Sequence, residues 1–275
     1  MGKCQYCGEP AGFLRRQHHK CRELHDLAEQ KIPAFFTQFL KSTVPADKFR
    51  QLASDVARTH FVDEIELHRL AIQNIARLVD TTLQDHLLTA DEEARITGLS
   101  NEFNMTEQEA DESGLRKKVV KAAILRELDD GKTPDRVHVQ GLSIVLQKDE
   151  KIVWLFQGVQ YFTIKNRTQY VGGSQGVSIR IMKGVYYRVG AMKGERVQTP
   201  EMKLEDTGEL VFTNKNVVFH GSLRSTRIPL KKVVSIDPYS DGVRIIRESA
   251  NPTPQIFLLD DPWFATNLVS KLGQL

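Results

Sequence analysis

The chain has 275 residues, 40% of them hydrophobic and 27% charged, with a formal net charge of +3. Those values fit a globular protein of about two domains, and no window approaches the ~18 unbroken apolar residues of a membrane span. The charge is uneven: residues 1–22 carry a net +4, residues 23–136 a net −7 and residues 137–275 a net +6. That is the pattern of a modular chain rather than of one continuous basic surface for nucleic acid.

The N-terminus turns polar at once, without the apolar core of a secretory signal, and Tyr6 stands where a myristoylation motif requires Ser or Thr. A cytoplasmic protein is expected. All three cysteines fall within the first 21 residues, an odd count that argues against a disulfide framework. They read Cys4-Gln5-Tyr6-Cys7-Gly8 and then His18-His19-Lys20-Cys21, a C-x2-C-x10-H-x2-C pattern. Two residues between paired ligands let a tight turn aim both at one ion, and two such pairs close a tetrahedron of the kind found in structural zinc sites. Cys4, Cys7, Cys21 and His18 are the expected ligands. His19 is the alternative fourth ligand, but His18 repeats the spacing of the first pair. A redox C-x-x-C would open a helix in a βαβ context, which is not found here. Lys3, Arg15, Arg16, Lys20 and Arg22 surround the knuckle and suit phosphate or an acidic partner.

From residue 23 to about 135 the apolar period is helical and the net charge acidic. One stripe runs Leu24, Leu27, Ala28, Ile32, Phe35, Phe36, Phe39, Leu40, with Pro33 expected to kink the helix or start a new one. A second runs Ile65, Leu67, Leu70, Ala71, Ile75, Leu78, Val79, Leu83. Thr89-Ala-Asp-Glu92 and Thr106-Glu-Gln-Glu109 are capping boxes, the latter helix interrupted or continued past Gly114. Four to six helices forming a small bundle are predicted. His25, His60, His68 and His86 lack metal spacing and are expected on surface or half-buried positions.

After Lys132-Thr-Pro-Asp135 the period becomes that of strands: 152–156, 178–181, 185–189, 210–213, 217–219, 227–228, 233–236, 243–246 and 256–259. Asn214-Lys215, Gly221-Ser222 and Asp241-Gly242 mark turns. Asp260-Asp261 introduces a terminal amphipathic helix. The glycine-rich Tyr170-Val-Gly-Gly-Ser-Gln-Gly176 matches no phosphate-binding loop and reads as a hairpin.

Thr207-Gly208-Glu-Leu210-Val211-Phe-Thr213-Asn214-Lys215-Asn-Val217-Val-Phe219-His-Gly221, continued by Arg227-Ile228-Pro229-Leu230 and Val233-Val-Ser-Ile236, resembles the core hairpin and following strands of bacterial pleckstrin-homology-like (GRAM-like) domains. The resemblance covers residues ~150–275. It implies a seven-stranded, helix-capped fold that often binds proteins or membranes, without implying an activity. The expected fold class is therefore α+β and multidomain: a zinc knuckle at 1–22, an acidic helical domain at 23–135 and, at 136–275, a PH-like antiparallel β-barrel or sandwich capped by the C-terminal helix.

Walker, dinucleotide, nucleophile-elbow and open-metal-triad motifs are missing from the sequence, so a non-enzymatic interaction protein with no catalytic residues is expected. Lys165, Arg167, Arg180, Lys183, Arg188 and Tyr187 are the candidate partner-binding residues. A protein partner is expected. Nucleic acid and an anionic lipid surface are the alternatives, followed by an enzyme with a site built across domains. Nucleic acid would need a continuous basic surface joining residues 1–22 to 137–275, and an anionic lipid surface would need a denser basic cluster.

Overall fold

A computed structural model describes the chain except residues 1, 14, 84–87, 140, 171–176, 183–184, 190–195 and 251–252. For 29, 40–41, 166–170, 177–182, 185–189 and 196–200 the description is of the backbone alone. The protein mixes helices and sheet and divides into two compact units, Met1–Arg126 and Glu127–Leu275.

The first unit opens with the two-stranded ribbon β1 (Gly2–Lys3) and β2 (Pro10–Gly12). Among the described residues six α-helices follow: α1 (His19–Lys41), α2 (Ala46–Thr59), α3 (Glu64–Thr82), α4 (Ala90–Glu102), α5 (Glu107–Glu112) and α6 (Leu115–Asp129), the last three residues of α6 falling in the second unit. No new helix begins at Pro33, which lies inside α1. The hydrogen bond that proline lacks is outweighed by burial of Ala28, Ile32, Phe36 and Phe39 on the inner face. Phe49 of α2 is the centre of the core, with the rings of Phe35, Phe36 and Phe39 between 4.5 and 5.0 Å from its own. On α3, residues 67, 70, 71, 75, 78 and 79 are buried, whereas Ile65 is 83% exposed in the first turn. Buried Asn74 shares that inner row because its Nδ2 donates to Leu70 O at 2.7 Å.

Both capping boxes form, at Thr89 with Glu92 and at Thr106 with Glu109. Gly114, at φ +69°, separates α5 from α6. That left-handed conformation lets a helix end where other residues would be strained.

The second unit contains β3 (Ile152–Tyr170), β4 (Val177–Met182), β5 (Val185–Val189), β6 (Arg196–Thr213), β7 (Asn216–Gly221), β8 (Ser225–Pro229), β9 (Val233–Pro238), β10 (Gly242–Arg247), β11 (Gln255–Leu258) and α7 (Pro262–Leu272). Seven strands form one antiparallel sheet in the order β8-β7-β6-β3-β11-β10-β9, and β4 pairs with β5 separately. The sheet is thus two meanders, β3-β6-β7-β8 and β9-β10-β11, joined where β3 pairs β11 from Gln160 to Thr163.

A barrel or sandwich was the sequence expectation; the strands instead make an open sheet whose edges are β8 and β9. α7 packs against β9 and β10, and Phe264 meets Trp154 and Phe156 at 5.1 and 6.3 Å. Asp261 caps α7 by accepting from Phe264 N at 3.0 Å, with Pro262 in the first turn. At Gly208 a side chain is excluded outright: a Cβ there would stand 2.1 Å from His220 O on β7.

Beyond Thr163, β3 continues with β6 as partner, in register to Tyr170↔Arg196. It forms a ribbon that carries the backbone of Arg167 opposite Thr199.

Candidate metal centre

The knuckle is built by short-range backbone bonds. Cys4 N donates to Glu9 O at 2.7 Å and Gly8 N to Cys4 O at 2.9 Å, closing the turn that carries Cys7. Gly8 adopts φ +75°, a conformation suited to glycine. Gln5 N donates to Arg16 O at 2.9 Å, bringing the second half of the motif alongside the first. His18 is the N-cap residue of α1, and Cys21 follows in the first turn.

This places Cys4, Cys7, His18 and Cys21 together, with their ligand atoms all within 4.8 Å of one another. Cys7 Sγ and Cys21 Sγ lie 3.4 and 3.6 Å from His18 Nδ1, and tetrahedral coordination of one ion by sulfur and imidazole nitrogen calls for about 3.5 Å. His18 Nε2 donates to Pro10 O at 3.1 Å. A carbonyl can only accept, so this bond puts the proton on Nε2 and leaves the Nδ1 lone pair facing the sulfurs. His19 is directed elsewhere, with its ring paired to Glu23 at 3.3 Å and 86% exposed.

The thiols are unequal. Burial opposes ionisation of Cys4, yet N–H groups of Cys7, His18 and Tyr6 outweigh it and bring its pKa to about 6. Cys21 is pushed up to about 11 by burial and by its neighbours Cys7 and Cys4. A cation among the three sulfurs relieves that mutual repulsion, so the donor set fits a metal ion in charge as well as in distance.

Of the other candidate residues, Lys165 is exposed and pairs with Glu205 at 2.8 Å. The side chains of Arg167, Arg180, Tyr187 and Arg188, together with Lys183, the glycine-rich segment 171–176 and His86, lie outside the described residues.

The remaining helix histidines link helices. His25 bonds Glu66 at 3.0 Å, His68 bridges Phe103 O and Glu109 at 2.9 and 2.8 Å, and His60 accepts from Lys31 at 3.2 Å. Such pairs span 29 to 41 residues and leave no trace in local spacing. Among the described residues no helix is long and apolar enough to cross a membrane. Neither a protein-family model nor a curated protein matches the chain.

Proposed function

We propose that the chain is a non-enzymatic cytoplasmic adaptor: a structural zinc ion holds the knuckle folded, and the β unit recognises a protein partner. The observation that carries this reading is the donor set. Three cysteines and one histidine within 4.8 Å of one another complete a tetrahedral shell and leave no position for substrate or water. Zinc is the ion that thiolate-rich tetrahedral sites suit best. Its binding supplies folding free energy that so short a segment cannot draw from a core. Thiolate ligation accords with a reducing compartment.

For the β unit, the strand order supports the PH-like (GRAM-like) reading. A four-strand and a three-strand meander, joined through their first and last strands and followed by a helix, agree with the seven-stranded, helix-capped fold the resemblance implies. That fold hosts recognition more readily than it dictates chemistry.

A second reading is favoured by one feature of the knuckle. Phe13 is 86% exposed and close in sequence to the exposed Arg15 and Arg16, a composition suited to stacking on single-stranded nucleic acid.

Elemental analysis of the full-length protein, with capture of partners from native lysate by wild type and Cys7→Ser, tests both. One zinc per wild-type chain, none in the variant, and capture of protein that survives moderate salt are expected. Metal-free wild type would refute the zinc assignment. Capture of nucleic acid that falls steeply with salt would establish the second reading instead.

A further inference from the structure

The β unit holds a polar cleft of about 510 Å³, lined by Tyr161 and Lys165 of β3, Glu205 of β6, Arg224 before β8, Arg247 at the end of β10 and Gln255 at the start of β11. Its apolar side is firm: Tyr161 is 8% exposed, and its ring lies 5.1 Å from those of both Phe219 and Phe257. Arg224 is presented by a fixed turn. Asp206 accepts from Leu223 N at 2.5 Å, Arg224 N at 2.8 Å and Ser222 Oγ at 3.3 Å.

The charges do not balance within the cleft. Among the described lining residues Glu205 is the one carboxylate. It accepts from Lys165 and Thr163, each at 2.8 Å, and Arg224 stands 3.7 Å away. Lys165 is thereby answered. Half-buried Arg247 lines the cleft and makes no side-chain ion pair or hydrogen bond among the described residues. Gln255 is only 6% exposed, and its buried Oε1 has no hydrogen-bond partner. A buried amide oxygen calls for a donor, and a half-buried guanidinium calls for an acceptor, best a carboxylate that can meet its fork.

One chemical class supplies both within a few ångströms: a peptide, which carries main-chain N–H groups beside any acidic side chain. A fully ionised phosphate supplies acceptors alone and leaves the amide oxygen unanswered. We infer that this cleft binds an acidic segment of a protein partner, seating an Asp or Glu carboxylate on Arg247 and Arg224 while main-chain N–H meets Gln255. The inference rests on the protein-recognition reading above and names its site.

The test is fluorescence anisotropy with the full-length protein and labelled short peptide pools fixed centrally as Glu, Gln or Lys. The Glu pool is expected to bind more tightly than the other two at physiological salt. Arg247→Gln should weaken it by about tenfold or more, the loss of a charge-assisted pair, and Gln255→Leu should weaken it severalfold. Unchanged tryptophan fluorescence would show both variants folded, since Trp154 and Trp263 both lie in this unit.

Equal binding of the Glu and Gln pools would overturn the inference. So would binding of inorganic phosphate, or of phosphatidylserine vesicles, that is lost in Arg247→Gln. A lysate partner retained equally by wild type and Arg247→Gln would refute this cleft while leaving the adaptor reading standing.

Discussion

The rings of Tyr6 and His25 lie 4.8 Å apart, joining the turn between the candidate ligands Cys4 and Cys7 to the first helix of the bundle. His25 in turn bonds Glu66 of α3 at 3.0 Å, and Phe61, between α2 and α3, places a second ring 6.4 Å from Tyr6. The knuckle is therefore part of the helical unit's packing as well as a cluster of candidate metal ligands.

Tyr6→Ala is expected to destabilise the helical unit by about 1–2 kcal/mol, an aromatic pair plus partial burial. Metal content should stay unchanged, since all four candidate ligands remain. Melting followed by helical circular dichroism, with elemental analysis on the same sample, reads both. An unmoved melting curve would show that the knuckle is only tethered to the helices.

How much of this was legible in the sequence depends on the range of the interaction concerned. The four clustered side chains fall within 18 residues, and their spacing anticipated them. The capping boxes of Thr89 and Thr106 are equally local, three residues from cap to partner, and both form. Tyr6 with His25 could not be foreseen, because neither residue type nor spacing marks a ring that will stack on another. Neither apolar stripe of the sequence marks α2, whose buried residues Phe49, Ala53 and Ala57 include two alanines. The open edge between β8 and β9 was likewise invisible: strand periodicity gives the faces of a sheet and not whether its edges meet.

Glu109 sets an acid limit on the helical unit. Its Oε2 accepts from Thr106 N and Thr106 Oγ1, and its Oε1 contacts His68, all at 2.8 Å. Chiefly through the Thr106 N–H, and then through His68, these bonds bring its pKa from 4.5 to about 2. A carboxylate whose pKa is lower folded than unfolded stabilises the fold above its unfolded value. That contribution is lost as pH falls through the folded value. Wild-type stability should therefore decline between about pH 4.5 and about pH 2. Glu109→Gln keeps a side chain that can still complete the capping box, and should start lower at neutral pH and decline less steeply. Denaturant midpoints across that range test this, and identical slopes for the two proteins would refute it.

Glu150 anchors the β unit from the segment just before β3. Its side chain is 0% exposed. Oε1 accepts from Thr213 Oγ1 and Asn216 Nδ2 at 2.7 Å each, while Oε2 accepts from Gln147 N at 2.7 Å and Arg227 at 3.1 Å. Four donors from Gln147, the β6–β7 hairpin and β8 thus converge on one carboxylate, and burial is offset because each oxygen is satisfied.

Glu150→Gln keeps the shape but can present an NH2 group to Gln147 N–H and the Arg227 guanidinium, placing donors against donors. A loss of about 2–4 kcal/mol is expected. Arg227→Met should cost less, because its side chain is 31% exposed and removing it leaves the carboxylate three neutral donors. Urea unfolding followed by tryptophan fluorescence reports this unit alone, since both tryptophans lie within it. If Arg227→Met proved the more damaging change, the ion pair rather than the convergence of neutral donors would be what holds Glu150 in place.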